Sequence, residues 1–285
     1  MNRDSQNTPV DQKSKATVTD QRFQTILKQL EACEGLVAAE LESYQNASSG
    51  ADSSDRTDYL LSIVIPVYNE EATIARVISR VAALPLNTEI VVVDDCSTDR
   101  TREILGLLSG IESVNVILKE VNAGKGAAIR TGFESATGDF LVIQDADLEY
   151  DPRDIPQLIQ PLLRGEADIV YGSRFIGDDV QDESFVHRLG NAVLTGASNL
   201  FSGLKLTDME TCYKAFSKEA IEAIEIEQER FGVEPEMTAK LARCGFKFVE
   251  VPISYDSRGY DEGKKIGIKD LFNAVYCIGR YGVKD

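Results

Sequence analysis

Residues 141 to 152 read LVIQDADLEYDP, an apolar strand that runs straight into Asp145, Asp147 and Glu149. An unpaired acid is costly to bury, so acids clustered at a strand end need a cation, a ligand or open water. If the strand stays extended, positions two apart face one side and the three carboxylates converge. Such a trio repels itself unless a divalent cation joins it. Mg2+ is commonly held by one or two carboxylates plus substrate phosphate oxygens, so the stretch points to a metal–diphosphate site. A solvated acidic turn is the alternative.

A second acidic strand end, VVVDDCSTD, differs in kind. Ser97, Thr98 and Asp99 are helix-capping types placed just before RTREILGLL. Capping hardly accounts for Asp94 and Asp95, two consecutive acids on the strand itself. A carboxylate there can accept from a nucleobase N–H or a ribose hydroxyl. NAGKGAAIRTG invites comparison with a phosphate loop and fails the test. A Walker A motif needs Gly at 119 and Ser or Thr at 126, where the chain has Lys119 and Gly126. Ile129 stands where a dinucleotide fingerprint requires its third glycine. What remains is a flexible loop carrying Lys125 ahead of a helix with Arg130. Its amides and Lys125 suit a diphosphate; a plain helix start is the other reading. His187, the only histidine, reads as a packing or surface residue.

Short apolar runs lead into these groups, at 60–68, 89–95, 114–119, 138–147 and 167–174, with helical patterns such as EATIARVISRVAAL and AAIRTGFESA between them. Near-continuous β-branched runs alternating with amphipathic helices predict an α/β fold with a parallel sheet covered on both faces. Ligands of such sheets sit beyond the carboxyl ends of the strands. PVYNE, DDCSTD, DADLE and GSR all follow strands in that sense.

The chain has 285 residues, 43% of them apolar, enough for one large core, and a formal net charge of −17. That balance argues against a general nucleic-acid binder. Cys33, Cys96, Cys212, Cys244 and Cys277 are scattered, with no C-x-x-C pair, so neither a disulfide framework nor a structural zinc site is expected. No signal peptide and no apolar run near ~18 residues is present, so a cytoplasmic protein is expected. Residues 1–57 form a polar N-terminal extension. Phe23, Ile26, Leu27, Leu30, Cys33, Leu36, Val37 and Leu41 give it one amphipathic helix, and NASSGADSSDRTD is its linker. That helix covers either its own domain or a second subunit in a homo-oligomer. From Arg258 to Asp285 the chain is mildly basic. Ile268, Leu271, Phe272, Val275 and Ile278 form one apolar helical face there, suited to an anionic membrane surface or to packing against protein.

IVIPVYNE, VVVDDCSTD, NAGKGAAIRTG, QDADLEYDP and GSRF occur in the order seen in family 2 glycosyltransferases, and the resemblance runs from about Leu60 to Tyr281. It is greatest to the branch of dolichol-phosphate mannosyltransferases and polyprenyl-phosphate glycosyltransferases. The resemblance implies a GT-A-like, Rossmann-type nucleotide-diphospho-sugar transferase sandwich with a mostly parallel sheet. It also implies a catalytic domain over 58–257 and a segment 258–285 that completes the active site. Pro66, Tyr68, Glu70 and Val93 would line the base and ribose pocket, and Asp95 would read the nucleobase side. Asp145, Ala146 and Asp147 would meet the sugar nucleotide, with Mg2+ or Mn2+ on Asp145, Asp147 and Glu149. Glu149 departs from the Gln usual in the mannosyltransferases, which leaves the sugar and the ion open. Lys125, Arg174, Arg258 and Lys264 would face phosphates. An acid near Glu234 and Glu236 often serves as base in the family, with Asp208 and Glu210 as other acids nearby. The implied reaction is metal-dependent, inverting transfer of a hexose from a GDP-mannose or UDP-glucose type donor. A polyprenyl phosphate at the cytoplasmic face of a membrane is the implied acceptor, and a sugar or small molecule the alternative. A nucleotidyltransferase and a non-catalytic nucleotide-sugar scaffold are the readings from other classes.

Overall fold

The computed structural model describes residues 58–111, 113–176, 185–256 and 268–283. The N-terminal amphipathic helix and its linker lie outside the described residues, as do Arg258 and Lys264.

Among the described residues, seven strands form one sheet in the order β3-β2-β1-β4-β6-β5-β7. In chain order they are β1 (Leu61–Val67), β2 (Thr88–Asp94), β3 (Val114–Leu118), β4 (Phe140–Ile143), β5 (Ile169–Ser173), β6 (Lys214–Ser217) and β7 (Phe248–Pro252). Every pairing is parallel except those of β6, which runs antiparallel to β4 and β5. The helices are α1 (Ile74–Ala82), α2 (Thr101–Leu108), α3 (Lys125–Ser135), α4 (Ile155–Leu163), α5 (Phe185–Ser202), α6 (Lys218–Glu222), α7 (Val233–Arg243) and α8 (Ile268–Val283). The mostly parallel α/β architecture is the expected one.

β1 shows why these residues make a central strand. LSIVIPV is buried along its whole length because sheet neighbours flank it and helices cover it. Its one irregularity, Pro66, cannot donate to a ladder. The Val64 carbonyl accepts from Gln144 on the β4 side, and β4 has ended at Ile143 by the level of Pro66. The missing N–H therefore faces the gap beyond β4, where no strand asks for it. That gap matters for function. Strand order reverses between β1 and β4, which is the switch point where open α/β sheets leave a crevice for ligands.

Helix α3 packs on β1 through Gly132, where an added Cβ would lie 2.3 Å from Val64 Cγ1. Val64 is β-branched and fully buried, so it has no cheap way to yield. Gly132→Ala is expected to cost about 1–3 kcal/mol of stability through overpacking, read as a lower urea midpoint.

α8 packs against α5 and α7, burying Ala274, Cys277, Ile278 and Tyr281. Phe272, Val275 and Tyr276 stay exposed. The single apolar stripe expected from spacing is thus divided: Ile278 faces protein, while Phe272 and Val275 face outward. Among the described residues no helix is long and apolar enough to cross a membrane.

Candidate active site

The loops after β1 and β2 are tied together by side chains that the sequence presents as helix caps. Asn69, at φ 55°, donates its N–H to Ser97 Oγ (2.9 Å) and accepts from Thr98 N (2.8 Å) through Oδ1. Glu71 N donates to Asp99 Oδ2 (3.1 Å) and Glu70 N to Thr101 Oγ1 (2.9 Å). Asp99 also accepts from Thr101 N at the start of α2, so the expected local cap is only half of its work. Cys96 holds φ 64° with its thiol on the Glu120 carbonyl (3.3 Å). Tyr68 and Glu70 are half-buried at the rim of the crevice, and the Glu70 carboxylate accepts from Thr73 Oγ1 (3.0 Å). Pro66 and Val93 face each other in register, buried, and form floor rather than open wall.

The two adjacent acids divide their duties. Asp94 is fully buried and accepts from Arg102 Nε (2.6 Å) and Ser97 N (3.1 Å). Asp95 accepts from Lys119 Nζ (2.6 Å), Ala123 N (3.1 Å) and Gly124 N (2.5 Å). It therefore holds the loop that leads to Lys125, and three donors already occupy a carboxylate with about four acceptor positions. Any nucleobase N–H has to use the capacity that is left.

The acidic stretch departs from the extended path. β4 stops at Ile143, and Leu148 turns the backbone at φ 66°. Asp147 Oδ1 takes the Glu149 N–H (3.1 Å). Glu149 accepts from the Tyr255 hydroxyl (2.8 Å), beside the bridge between Tyr150 and Tyr255. The three carboxylates are not aligned on one side of a strand. Among the described residues no group of three or more metal-ligating side chains converges. Asp145 and Asp147 nonetheless fit Mg2+ or Mn2+, because hard oxygen donors from one or two carboxylates suffice when phosphate oxygens complete the shell. Ala146, buried between them, offers only backbone.

Lys125 Nζ lies 3.0 Å from Asp145 Oδ1 and 3.5 Å from Glu234 Oε1. Burial pulls this ammonium down, but the neighbouring acids, Asp145 foremost through both its charge and its hydrogen bond, outweigh it and lift the group well above the ordinary lysine value. Lys125 is thus a fixed cation beside the acids. The Cys212 thiol, pushed up well above its usual range by burial and by Asp145, lies in hydrogen-bond contact with Asp145. Glu234 is buried with Oε2 left without a hydrogen bond, facing this cluster. Glu236 points elsewhere: its carboxylate takes Glu227 N (2.8 Å), Gln228 N (2.8 Å) and Lys240 Nζ (2.7 Å). The two acids that sequence leaves undivided are separated by the helix they share.

Arg174, expected to meet a phosphate, is paired with Asp208 through Nε (2.6 Å) and Nη2 (2.8 Å), with its guanidinium over the Tyr255 ring (5.0 Å). Lys214 is fully buried on the Met209 and Thr211 carbonyls and the face of Tyr171. Nothing in the sequence reading marks Lys214, although a lysine inside the apolar run CYKAF is the signal that could have done so. Burial, reinforced by Glu234, pushes the Glu210 carboxyl up to about 8. A carboxyl raised this far is protonated in the fold and ionised in the unfolded chain between the two values. Its contribution is fully present below the ordinary 4.5 and is lost as pH rises through about 8. Glu210→Gln should therefore flatten the fall in stability between those limits. Urea unfolding at a series of pH values measures it, and an unchanged slope would remove Glu210 as its source.

The profile described as "Glycosyl transferase family 2" matches residues 62–225. The dolichol-phosphate mannosyltransferase of Pyrococcus furiosus is 36% identical over 225 residues, covering 77% of this chain and 63% of that protein. The undecaprenyl-phosphate 4-deoxy-4-formamido-L-arabinose transferase of Aeromonas hydrophila is 32% identical over 226 residues, covering 77% and 66%. The chain thus spans just under two thirds of the length of these relatives. Among solved structures, glucosyl-3-phosphoglycerate synthase of Mycobacterium tuberculosis, in complex with Mn2+, UDP-glucose and phosphoglyceric acid, superposes with TM-score 0.59. It is 26% identical, covering 80% of this chain and 81% of that one. Mannosyl-3-phosphoglycerate synthase of Rubrobacter xylanophilus (TM-score 0.59, 19% identity, 78% and 72% covered) shares the fold. These likenesses agree with a GT-A sheet in which Lys125 and Asp145 meet at the switch point: the chain belongs to glycosyl transferase family 2.

Proposed function

We propose that the protein moves a hexosyl group from a nucleoside-diphosphate sugar to the phosphate of a polyprenyl phosphate, by direct displacement with inversion at the anomeric carbon. The observation that carries this reading is the pairing of Lys125 with Asp145, two residues before Asp147, at the crevice between β1 and β4. A bound Mg2+ or Mn2+ would supply Lewis-acid stabilisation of the charge developing on the leaving diphosphate. Asp145 and Asp147 would hold that ion. Lys125 adds positive charge beside Asp145, and Arg258 and Lys264, basic residues that the family resemblance assigns to phosphates, would supplement it. Pro66, Tyr68, Glu70, Val93 and Asp95 bound the nucleoside end, and Asp95 keeps one acceptor position for a base N–H. An acceptor phosphate is largely ionised at neutral pH, with a second pKa of about 6, and attacks without a protein base. With a hydroxyl acceptor, Glu234, whose Oε2 has no hydrogen bond, would take the proton.

The polyprenyl acceptor is supported by the curated relatives, whose names specify dolichol phosphate and undecaprenyl phosphate. It makes the protein peripheral at the cytoplasmic face of a membrane. A second reading, a small phosphorylated acceptor, is supported by the glucosyl-3-phosphoglycerate synthase complexes. Calorimetry with UDP and GDP, each with and without Mn2+ or Mg2+, tests the donor site. Metal-dependent binding of one nucleotide is expected. Release of that nucleotide from its sugar adduct with polyprenyl phosphate, and not with 3-phosphoglycerate, separates the acceptors. Failure of folded protein to bind either nucleotide would overturn the transferase mechanism proposed here.

A further inference from the structure

Glu236 sits on the helix that carries Glu234, yet its whole carboxylate is spent on backbone and on Lys240. Side-chain exposure is 0%. Oε1 accepts from Glu227 N and Lys240 Nζ, and Oε2 from Gln228 N, so two consecutive amides of the 227–230 loop hang on one buried acid. The far side of the same loop presses on the turn that bears Lys125. The Glu229 carbonyl accepts from Ala127 N (3.0 Å) in the first turn of α3. A Cβ at Gly124 would lie 2.6 Å from the Glu229 carbonyl oxygen, and one at Gly126 only 2.2 Å from that of Gln228. Gly124 holds φ 101°, a region open to glycine. Lys125 lies between these two glycines. Its direction toward Asp145 is therefore set by how closely the loop carbonyls approach.

From behind, α7 and α8 brace the loop. The Glu227 carboxylate accepts from Lys240 Nζ (2.8 Å), Arg280 Nη2 (2.8 Å) and the Tyr281 hydroxyl (3.2 Å). Gln228 Nε2 donates to that hydroxyl (2.9 Å). We propose that Glu236 is a positioning residue that acts on the donor site through the 227–230 loop and the Gly124–Gly126 turn, by aiming Lys125. This rests on the reading of Lys125 as a diphosphate-side cation. It reassigns Glu236 from proton transfer to architecture, and it makes the docking of α8 part of what holds the donor site in shape.

A double-mutant cycle tests it, because residues in one chain of contacts show non-additive effects and independent ones add. The variants are Glu236→Gln, Lys125→Ala and the pair. The readouts are the Kd for UDP and for GDP with Mn2+, and the pH profile of nucleotide release from the matching donor. Supporting groups of this kind typically cost 10–100-fold when altered, so Glu236→Gln is expected to weaken binding by about that factor. In the Lys125→Ala background the same change should cost less than about 3-fold, with the shape of the pH profile unaltered. Equal losses in both backgrounds would overturn the proposal. So would loss of the acidic limb of the profile at unchanged Kd, which would make Glu236 a base. Should Glu236→Gln fail to fold, Gly126→Ala pushes on the Gln228 carbonyl with Glu236 intact, and it must show the same non-additivity with Lys125→Ala. Wild-type protein that binds neither nucleotide would instead bring down the donor-site reading beneath it. Binding with additive losses would sink this proposal alone.

Discussion

Asp147→Ala is expected to abolish metal-dependent nucleotide binding and to lower turnover about 10²–10³-fold, the range for loss of one electrostatic contact to developing charge. The reason lies in the small number of protein donors. Asp145 is drawn toward Lys125 at 3.0 Å, and Glu149 is turned toward Tyr255 at 2.8 Å. A cation seated with phosphate oxygens then relies heavily on Asp147. Removing it leaves one carboxylate whose charge is already partly answered by an ammonium. Asp147 is half-buried in a turn outside the strands, so folding should be little affected. The comparison is calorimetric: UDP and GDP with Mn2+ against wild type, and each again with the metal chelated. Wild-type-like Mn2+ dependence in the variant would exclude Asp147 from the metal site. Glu149→Gln provides the contrast, since its side chain is held by a tyrosine hydroxyl; an effect below about 10-fold is expected there.

The crevice was readable from sequence because its chemistry stands at strand ends, and strand ends are marked by where apolar runs stop. LVIQ into DAD and VVV into DD needed no partner information. β6 and β7 were missed for a physical reason. KAFS has four residues and carries a buried lysine, and FVEVP is only partly buried, so neither shows the strong apolar run that identified β1 or β2. The convergence of Asp145, Asp147 and Glu149 is conditional on an extended strand, and β4 ends at Ile143. Period-two reasoning holds only while the strand lasts, and the left-handed turn at Leu148 comes after β4 has ended. Capping residues misled in a similar way. Ser97 and Asp99 have the right types and spacing for α2, but much of their bonding goes to Asn69 and Glu71 in the loop after β1. Pairings between distant segments were not legible at all. Asp95 with Lys119, Arg174 with Asp208 and Glu236 with the 227–228 amides each join groups whose proximity only the fold creates.

Among those pairs, Arg174 with Asp208 should matter most for stability: Asp208→Ala is expected to cost about 3–5 kcal/mol, the range for breaking a buried ion pair from one side. Asp208 is fully buried and Arg174 keeps only 12% of its side-chain surface exposed. The guanidinium lies over Tyr255 at 5.0 Å and near Phe175 at 5.5 Å, surfaces that satisfy its faces and not its N–H edges. Without the carboxylate, Nε and Nη2 lose the Asp208 partner they hold in a largely closed site. Arg174 also follows β5 directly, and Glu250 on neighbouring β7 grips Thr207 N and Asp208 N, so the pair joins two loops at the rim of the crevice. The effect should therefore extend to function as looser donor binding. Unfolding in urea, followed with Arg174→Met, Asp208→Ala and the double variant, isolates the pair. The double variant should recover much of the loss, because a buried charge without its partner is worse than no charge. A cost below about 1 kcal/mol for Asp208→Ala would place the pair with exposed salt bridges and out of the core that shapes this site.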